Sequence, residues 1–96
     1  MPFRLDFSKS AAAELADIEA AKPKKHKKVV KCLGQLENNP RHPGLSSHRY
    51  EEYDEVYGEK IWESYVENKT PGAYRVFWHY GPDEGEITVV AITPHP

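Results

Sequence analysis

The sequence predicts an α+β fold in the order β-α-α-β-β-β, a mainly antiparallel sheet with a two-helix layer on one face. Three observations carry this. Residues 9–37 hold apolar side chains at helical spacing, interrupted once at Pro23. Three later runs, Lys60–Val66, Tyr74–Tyr80 and Glu86–Thr93, are rich in aromatic and β-branched residues and are separated by turn-forming clusters. The chain has 96 residues, which fits one domain over 1–96 and leaves no room for a second core.

The opening run Phe3–Phe7 alternates, which predicts a short strand with Phe3, Leu5 and Phe7 on one face. Ser8 is placed to cap a first helix over Lys9–Ala21, whose inner stripe is Ala11, Leu15 and Ile18. Pro23 suits the first turn of a second helix running to about Glu37. That helix turns Val29, Cys32, Leu33 and Leu36 inward and Lys24, Lys25, Lys27, Lys28 and Lys31 outward. Asn38-Asn39-Pro40 ends it. From Arg41 to Glu59 periodicity is lost among Pro43-Gly44, two serines and the acids Glu51, Glu52, Asp54 and Glu55. This stretch reads as one long loop.

The turn between the first two strands of the meander sets a register. If Val66 faces Tyr74 across Asn68–Gly72, then Ser64 faces Val76 and Trp62 faces Trp78. Trp62, Val66, Tyr74, Val76 and Trp78 then share the face that meets the helices. Ile61, Glu63, Tyr65, Arg75, Phe77 and His79 share the other, which the sequence leaves uncovered. A carboxylate, a guanidinium, an imidazole and a phenol are thereby expected on one surface.

Composition narrows the setting. At 39% apolar and 29% charged residues, the chain is too apolar for a disordered tail. Cys32 is the single cysteine, so an internal disulfide is impossible and a reducing, cytoplasmic compartment is expected. No run approaches the roughly 18 apolar residues of a membrane span, so no membrane partner is expected. Residues 1–49 hold ten Lys/Arg against five Asp/Glu, and residues 50–96 hold three against ten. The asymmetry is either an electrostatic footprint for nucleic acid or an acidic partner, or the solvated lysine face of one helix. His42 and His48, six positions apart with no nearby cysteine, are weak evidence for a metal site and read better as adventitious loop histidines. No metal or cofactor is expected, so any chemistry falls to the side chains.

Several segments, taken in order, resemble the RelE/ParE superfamily, the toxin halves of bacterial toxin–antitoxin pairs. They are Phe7 with Ala13-Glu14-Leu15, the basic second helix ending in Asn39-Pro40-Arg41, Lys60-Ile61-Trp62-Glu63, Ala73-Tyr74-Arg75-Val76-Phe77-Trp78, and Val89-Val90-Ala91-Ile92 leading to His95. The resemblance implies a cognate antitoxin as partner. It further implies one of two activities: cleavage of messenger RNA on the ribosome, or inhibition of DNA gyrase by binding. Arg75 matches the arginine of the RNase branch's tyrosine-arginine motif. His95 matches its C-terminal histidine, and Lys60 its lysine near the second meander strand. The scarcity of catalytic groups on the last strand motivates the gyrase reading, and the net charge of −2 motivates a third, a catalytically inactive binding protein of the same fold.

RNA cleavage through the substrate's own 2′-hydroxyl needs a base, an acid and positive charge at the phosphorane. Arg75 suits the charge role, since its fork grips two phosphate oxygens. His95 or His79 suits acid or base, and Glu63 is a further candidate base. Lys60, Lys28 and Lys31 are expected to steer the RNA backbone, and Tyr65 and Phe77 to stack on bases. Each has a plainer reading: Glu63, Arg75 and Tyr65 as a cross-strand ion pair with its neighbour, and His79 as a surface strand residue.

Overall fold

The structure, a computed structural model, describes residues 2–96. Strand β1 (Arg4–Phe7) leads into helix α1 (Lys9–Ala21) and helix α2 (Pro23–Asn38). A two-residue strand β2 (His48–Arg49) and a single helical turn α3 (Asp54–Tyr57) follow. The chain then forms β3 (Trp62–Tyr65), β4 (Tyr74–Tyr80) and β5 (Glu86–Pro94). The five strands lie in the order β1-β5-β4-β3-β2, with β1 parallel to β5 and the other neighbours antiparallel. This is the α+β architecture the sequence predicts.

The helical pair forms for local reasons that then serve packing. Ser8 Oγ accepts the Ala11 amide at 3.1 Å and caps α1. Pro23 opens α2, where its missing N–H costs nothing, and Asn39 closes it. The buried stripe Val29, Cys32, Leu33 and Leu36 meets Val76, Trp78, Ile87, Val89 and Ile92 of the sheet. Burial pushes the Cys32 thiol up to about 12, so it packs as a small apolar group rather than a nucleophile.

The register of β3 with β4 is the one the turn length predicts: Trp62 faces Trp78, Ser64 faces Val76 and Tyr65 faces Arg75. On the helix side Trp78 Nε1 donates to Ser64 Oγ at 2.8 Å. Ser64 Oγ also meets Ser47 Oγ at 2.7 Å, and Ser47 donates to the Pro40 carbonyl at 2.8 Å. This satisfied polar chain fastens the segment after α2 to the sheet.

Four expectations are corrected. Residues 41–59 are not one irregular loop. They contain a 3₁₀ turn at Pro43–Leu45, the edge strand β2, a second 3₁₀ turn at Glu51–Tyr53 and α3. The second sheet face is not uncovered, because Tyr50, Tyr53 and Tyr57 pack over Ile61, Phe77, Val90 and Ala91 as a second small core. Phe7 points outward, unlike Phe3 and Leu5, and is exposed. The first meander strand is shorter than Lys60–Val66, running only over Trp62–Tyr65.

A bulge in β5 explains how the second core is filled. Trp78 pairs with Val89 while Phe77 pairs with Ala91, so Val90 is the extra residue. Alternation breaks there. Val90 and Ala91 both enter the tyrosine-covered core, and Ile92 returns to the helix side.

Candidate functional site

Four of the residues named from the sequence meet at one edge of that covered face. Glu63 lies in the middle of β3 with only 1% of its side chain exposed. His95, just beyond β5, places Nδ1 2.5 Å from Glu63 Oε2. Its backbone amide donates to the Ala73 carbonyl at 3.0 Å, which holds the tail beside β4. Arg75 on β4 brings Nε to 3.9 Å from Glu63 Oε2. Its guanidinium lies over the Tyr65 ring, 3.8 Å from the centroid.

A fifth residue completes the group. His48 of β2 pairs directly with Glu63, and its Nε2 lies 2.7 Å from Glu63 Oε1. One buried carboxylate therefore holds an imidazole on each oxygen. Both rings are about half exposed, at 47% for His48 and 45% for His95. The edges of the site are aromatic: Tyr65 meets His48 at 5.8 Å, and Tyr50 meets His95 at 5.8 Å, each edge-on. Burial raises the Tyr50 phenol above its ordinary value, with the charge of Glu52 adding to it, so Tyr50 stays an uncharged wall.

Arg75 is anchored rather than free. Nη1 donates to the Glu67 carbonyl at 2.6 Å and to the Tyr74 carbonyl at 3.2 Å. Its Nε is buried without a hydrogen-bond partner among the described residues. A buried donor in that state costs about 1–3 kcal/mol, and an anion or a small closure of Glu63 would recover it. The arrangement thus offers an anchored cation, a carboxylate-held imidazole and two aromatic walls, with ring edges open to solvent.

The basic helix reaches the site through Glu67. Lys25 Nζ lies 2.8 Å from Glu67 Oε1 and Lys28 Nζ 3.3 Å from Oε2, while the Tyr74 amide donates to Oε1 at 3.3 Å. The Lys25 ammonium, then the Tyr74 amide and Lys28, hold the Glu67 carboxyl below its ordinary range. A depressed carboxylate stabilises the fold above its unfolded value, and that contribution disappears as pH falls through the folded value. Stability is therefore expected to drop on the acid side of pH 4.5. Urea midpoints of wild type and Glu67→Gln between pH 7 and 3 check this, with the variant showing the shallower loss.

The remaining expectations fall elsewhere. Lys28 and Lys31 line a groove of about 440 Å³ with Gln35, Tyr65 and Thr70, beside the site but outside it. His79 is not brought to Glu63; its Nδ1 bonds the Tyr80 carbonyl at 2.9 Å and lies 3.9 Å from Glu59. Lys60 opens onto a separate cleft among Asp54, Glu55 and Glu59. Phe77 is fully buried beneath Tyr50 and Tyr53, so its ring offers no face to a base. Tyr65 presents one ring face to Arg75. Among the described residues, no group of three or more His, Cys, Asp or Glu side chains is arranged to hold a metal ion.

No protein-family model matches the sequence, and no curated protein matches it. Solved structures do match over the whole length. A YoeB/ParE toxin from Agrobacterium tumefaciens superposes with a TM-score of 0.72 at 8% identity, over 97% of this chain and 99% of the other. The YoeB dimer of Staphylococcus aureus gives 0.72 at 13% identity, with full coverage of both chains. The fold is that of the RelE/ParE toxins. The archaeal RelE of the RelE–RelB complex from Pyrococcus horikoshii agrees, with a TM-score of 0.68 at 13% identity over 98% of this chain and 96% of that one. The likeness is one of fold at 8–13% identity, and a shared fold does not by itself fix function.

His48 was the residue missed from the sequence as part of this group. Its partner is fixed by a two-residue strand, too short to show alternation. A detectable signal was nearby: Tyr50, Tyr53 and Tyr57 stand at helical spacing and mark a segment that packs on the sheet.

Proposed function

We propose that this chain is the toxin half of a toxin–antitoxin pair and cleaves messenger RNA on the ribosome, using the RNA 2′-hydroxyl as nucleophile and no metal. The observation that carries this is the seating of His95 on Glu63 beside Arg75. With Nδ1 directed at the carboxylate, His95 leaves Nε2 facing outward as a base. Nε2 takes the proton of the 2′-hydroxyl, the 2′-oxygen attacks phosphorus, and the bond to the 5′-oxygen breaks as that oxygen takes a proton from water. Arg75, with Nε 3.9 Å from the same carboxylate oxygen, takes the role of countering charge on the phosphorane oxygens in this reading. The products carry a 2′,3′-cyclic phosphate and a 5′-hydroxyl.

The lysines at the Tyr65 groove supply a path for the RNA backbone without reading its sequence. A cognate antitoxin is the proposed partner, because structures of similar fold occur as RelE–RelB and YoeB–YefM complexes. The cytoplasm is the proposed location, since translated messages are there.

Induced expression of wild type and Arg75→Ala in a bacterial host, with growth and the 5′ ends of a reporter message followed, tests the reading. Arrest with new ends inside the reading frame, both lost in Arg75→Ala, is the expected result. Arrest without new ends would replace this reading by gyrase inhibition. No arrest with soluble protein present would make the chain a binding protein on a toxin fold.

A further inference from the structure

His48 makes two ring contacts that constrain the whole group. Its Nδ1 lies 2.8 Å from the Ser46 carbonyl, which can only accept, so Nδ1 carries a hydrogen. Its Nε2 lies 2.7 Å from Glu63 Oε1, a contact that holds one proton between the two atoms. His95 Nδ1 lies 2.5 Å from Glu63 Oε2, a contact that likewise holds one proton between the two atoms. The contacts therefore run in one line: Ser46 carbonyl, His48, Glu63, His95. Each link holds one proton, and His95 Nε2 lies at the far end.

The position of His48 is set by backbone rather than chance. Ser46 adopts a left-handed conformation with φ of 48°, which closes the Pro43–Leu45 turn and directs its carbonyl back at the His48 ring. Two residues later β2 pairs with β3 and puts His48 opposite Glu63. Tyr65 supports the ring edge-on. Glu63 cannot rotate to release one oxygen without breaking its contact on the other.

We infer that His48 is a positioning residue for the proposed reaction: by occupying Oε1 and taking its own orientation from Ser46, it fixes Glu63 so that His95 holds its hydrogen on Nδ1 and keeps Nε2 free. This rests on the RNase reading for its catalytic meaning but not for its structural content. His48 touches no reacting atom. It resembles the outer partners that fix the tautomer of a working histidine, whose removal displaces the base rather than removing it.

The test separates the two claims. Nitrogen-15 NMR of the imidazoles, in wild type, His48→Ala and His48→Gln, reads the His95 tautomer with no need for activity. His95 is expected as the Nδ1–H form in wild type and in His48→Gln, whose amide keeps one donor toward Oε1. In His48→Ala a mixture of tautomers is expected, with the dispersed amide spectrum of a folded protein. A pure Nδ1–H form in folded His48→Ala, or its absence from wild type, would overturn the inference. Steady-state cleavage of ribosome-bound message adds a second readout: kcat falls about 100-fold in His48→Ala with KM unchanged, and stays within several-fold of wild type in His48→Gln. A fall in KM-dependent binding alone would make His48 a substrate contact and overturn the positioning role. Failure of wild type to cleave would end the RNase reading, while the tautomer result would still decide the role of His48.

Discussion

Glu63→Ala is expected to destabilise the fold by about 3 kcal/mol and to remove cleavage activity. Removing one partner of a buried ion cluster costs about 3–5 kcal/mol, because the groups left behind stay desolvated. The lower end applies here. His48 and His95 are each about half exposed and can turn to water, whereas Arg75 is 10% exposed and cannot. A shift of the urea midpoint measures the effect. Glu63→Gln separates stability from chemistry, since the amide keeps the volume but confronts one of the two imidazole donors with a second donor. It is expected to remain folded and to lose most activity. Wild-type activity in Glu63→Gln would show that the carboxylate only fills space.

Arg75→Ala is expected to lower single-turnover cleavage about 10²–10³-fold, the cost of losing one preorganised donor at a developing oxyanion. Arg75→Lys is expected to recover little. A lysine cannot hold the Glu67 and Tyr74 carbonyls, stack on Tyr65 and still face the phosphate. If Arg75→Lys cleaved at the wild-type rate, charge alone would matter and the anchored geometry would not.

Much of this arrangement was legible because strand alternation and turn length act together. The five residues Asn68–Gly72 fix which residues of β3 and β4 face each other, and the two tryptophans choose the helix-side face by burial. Glu63, Tyr65 and Arg75 then fall together on the other face. The cover over that face was hidden by composition. Glu51, Glu52, Asp54 and Glu55 read as solvated loop, while the tyrosines among them do the packing. The consequence was a wrong environment for Phe77 and Glu63, which are buried rather than exposed. The bulge at Val90 was equally hidden, since Val89-Val90-Ala91-Ile92 shows no break in apolar character. His95 was legible only through family resemblance. Its contact with Glu63 depends on a backbone bond to Ala73 that no local pattern signals.

Charge placement has a similar lesson. The lysines of α2 and the acids of residues 51–55 are far apart in sequence and cover opposite faces of the sheet. Glu67 bridges the basic helix to the hairpin, so part of the lysine excess is spent inside the fold. The Lys28 ammonium is shared in this way, whereas among the described residues Lys31 makes no ion pair.

The central claim is that His95, seated on Glu63, drives attack by the RNA 2′-hydroxyl. It is tested most directly by the chemistry of the cut ends left when purified protein acts on a message bound to translating ribosomes. The expected result is a 2′,3′-cyclic phosphate on the upstream fragment and a 5′-hydroxyl on the downstream one, with both lost in His95→Ala. A 3′-hydroxyl and a 5′-phosphate, or unchanged cleavage by His95→Ala, would contradict it.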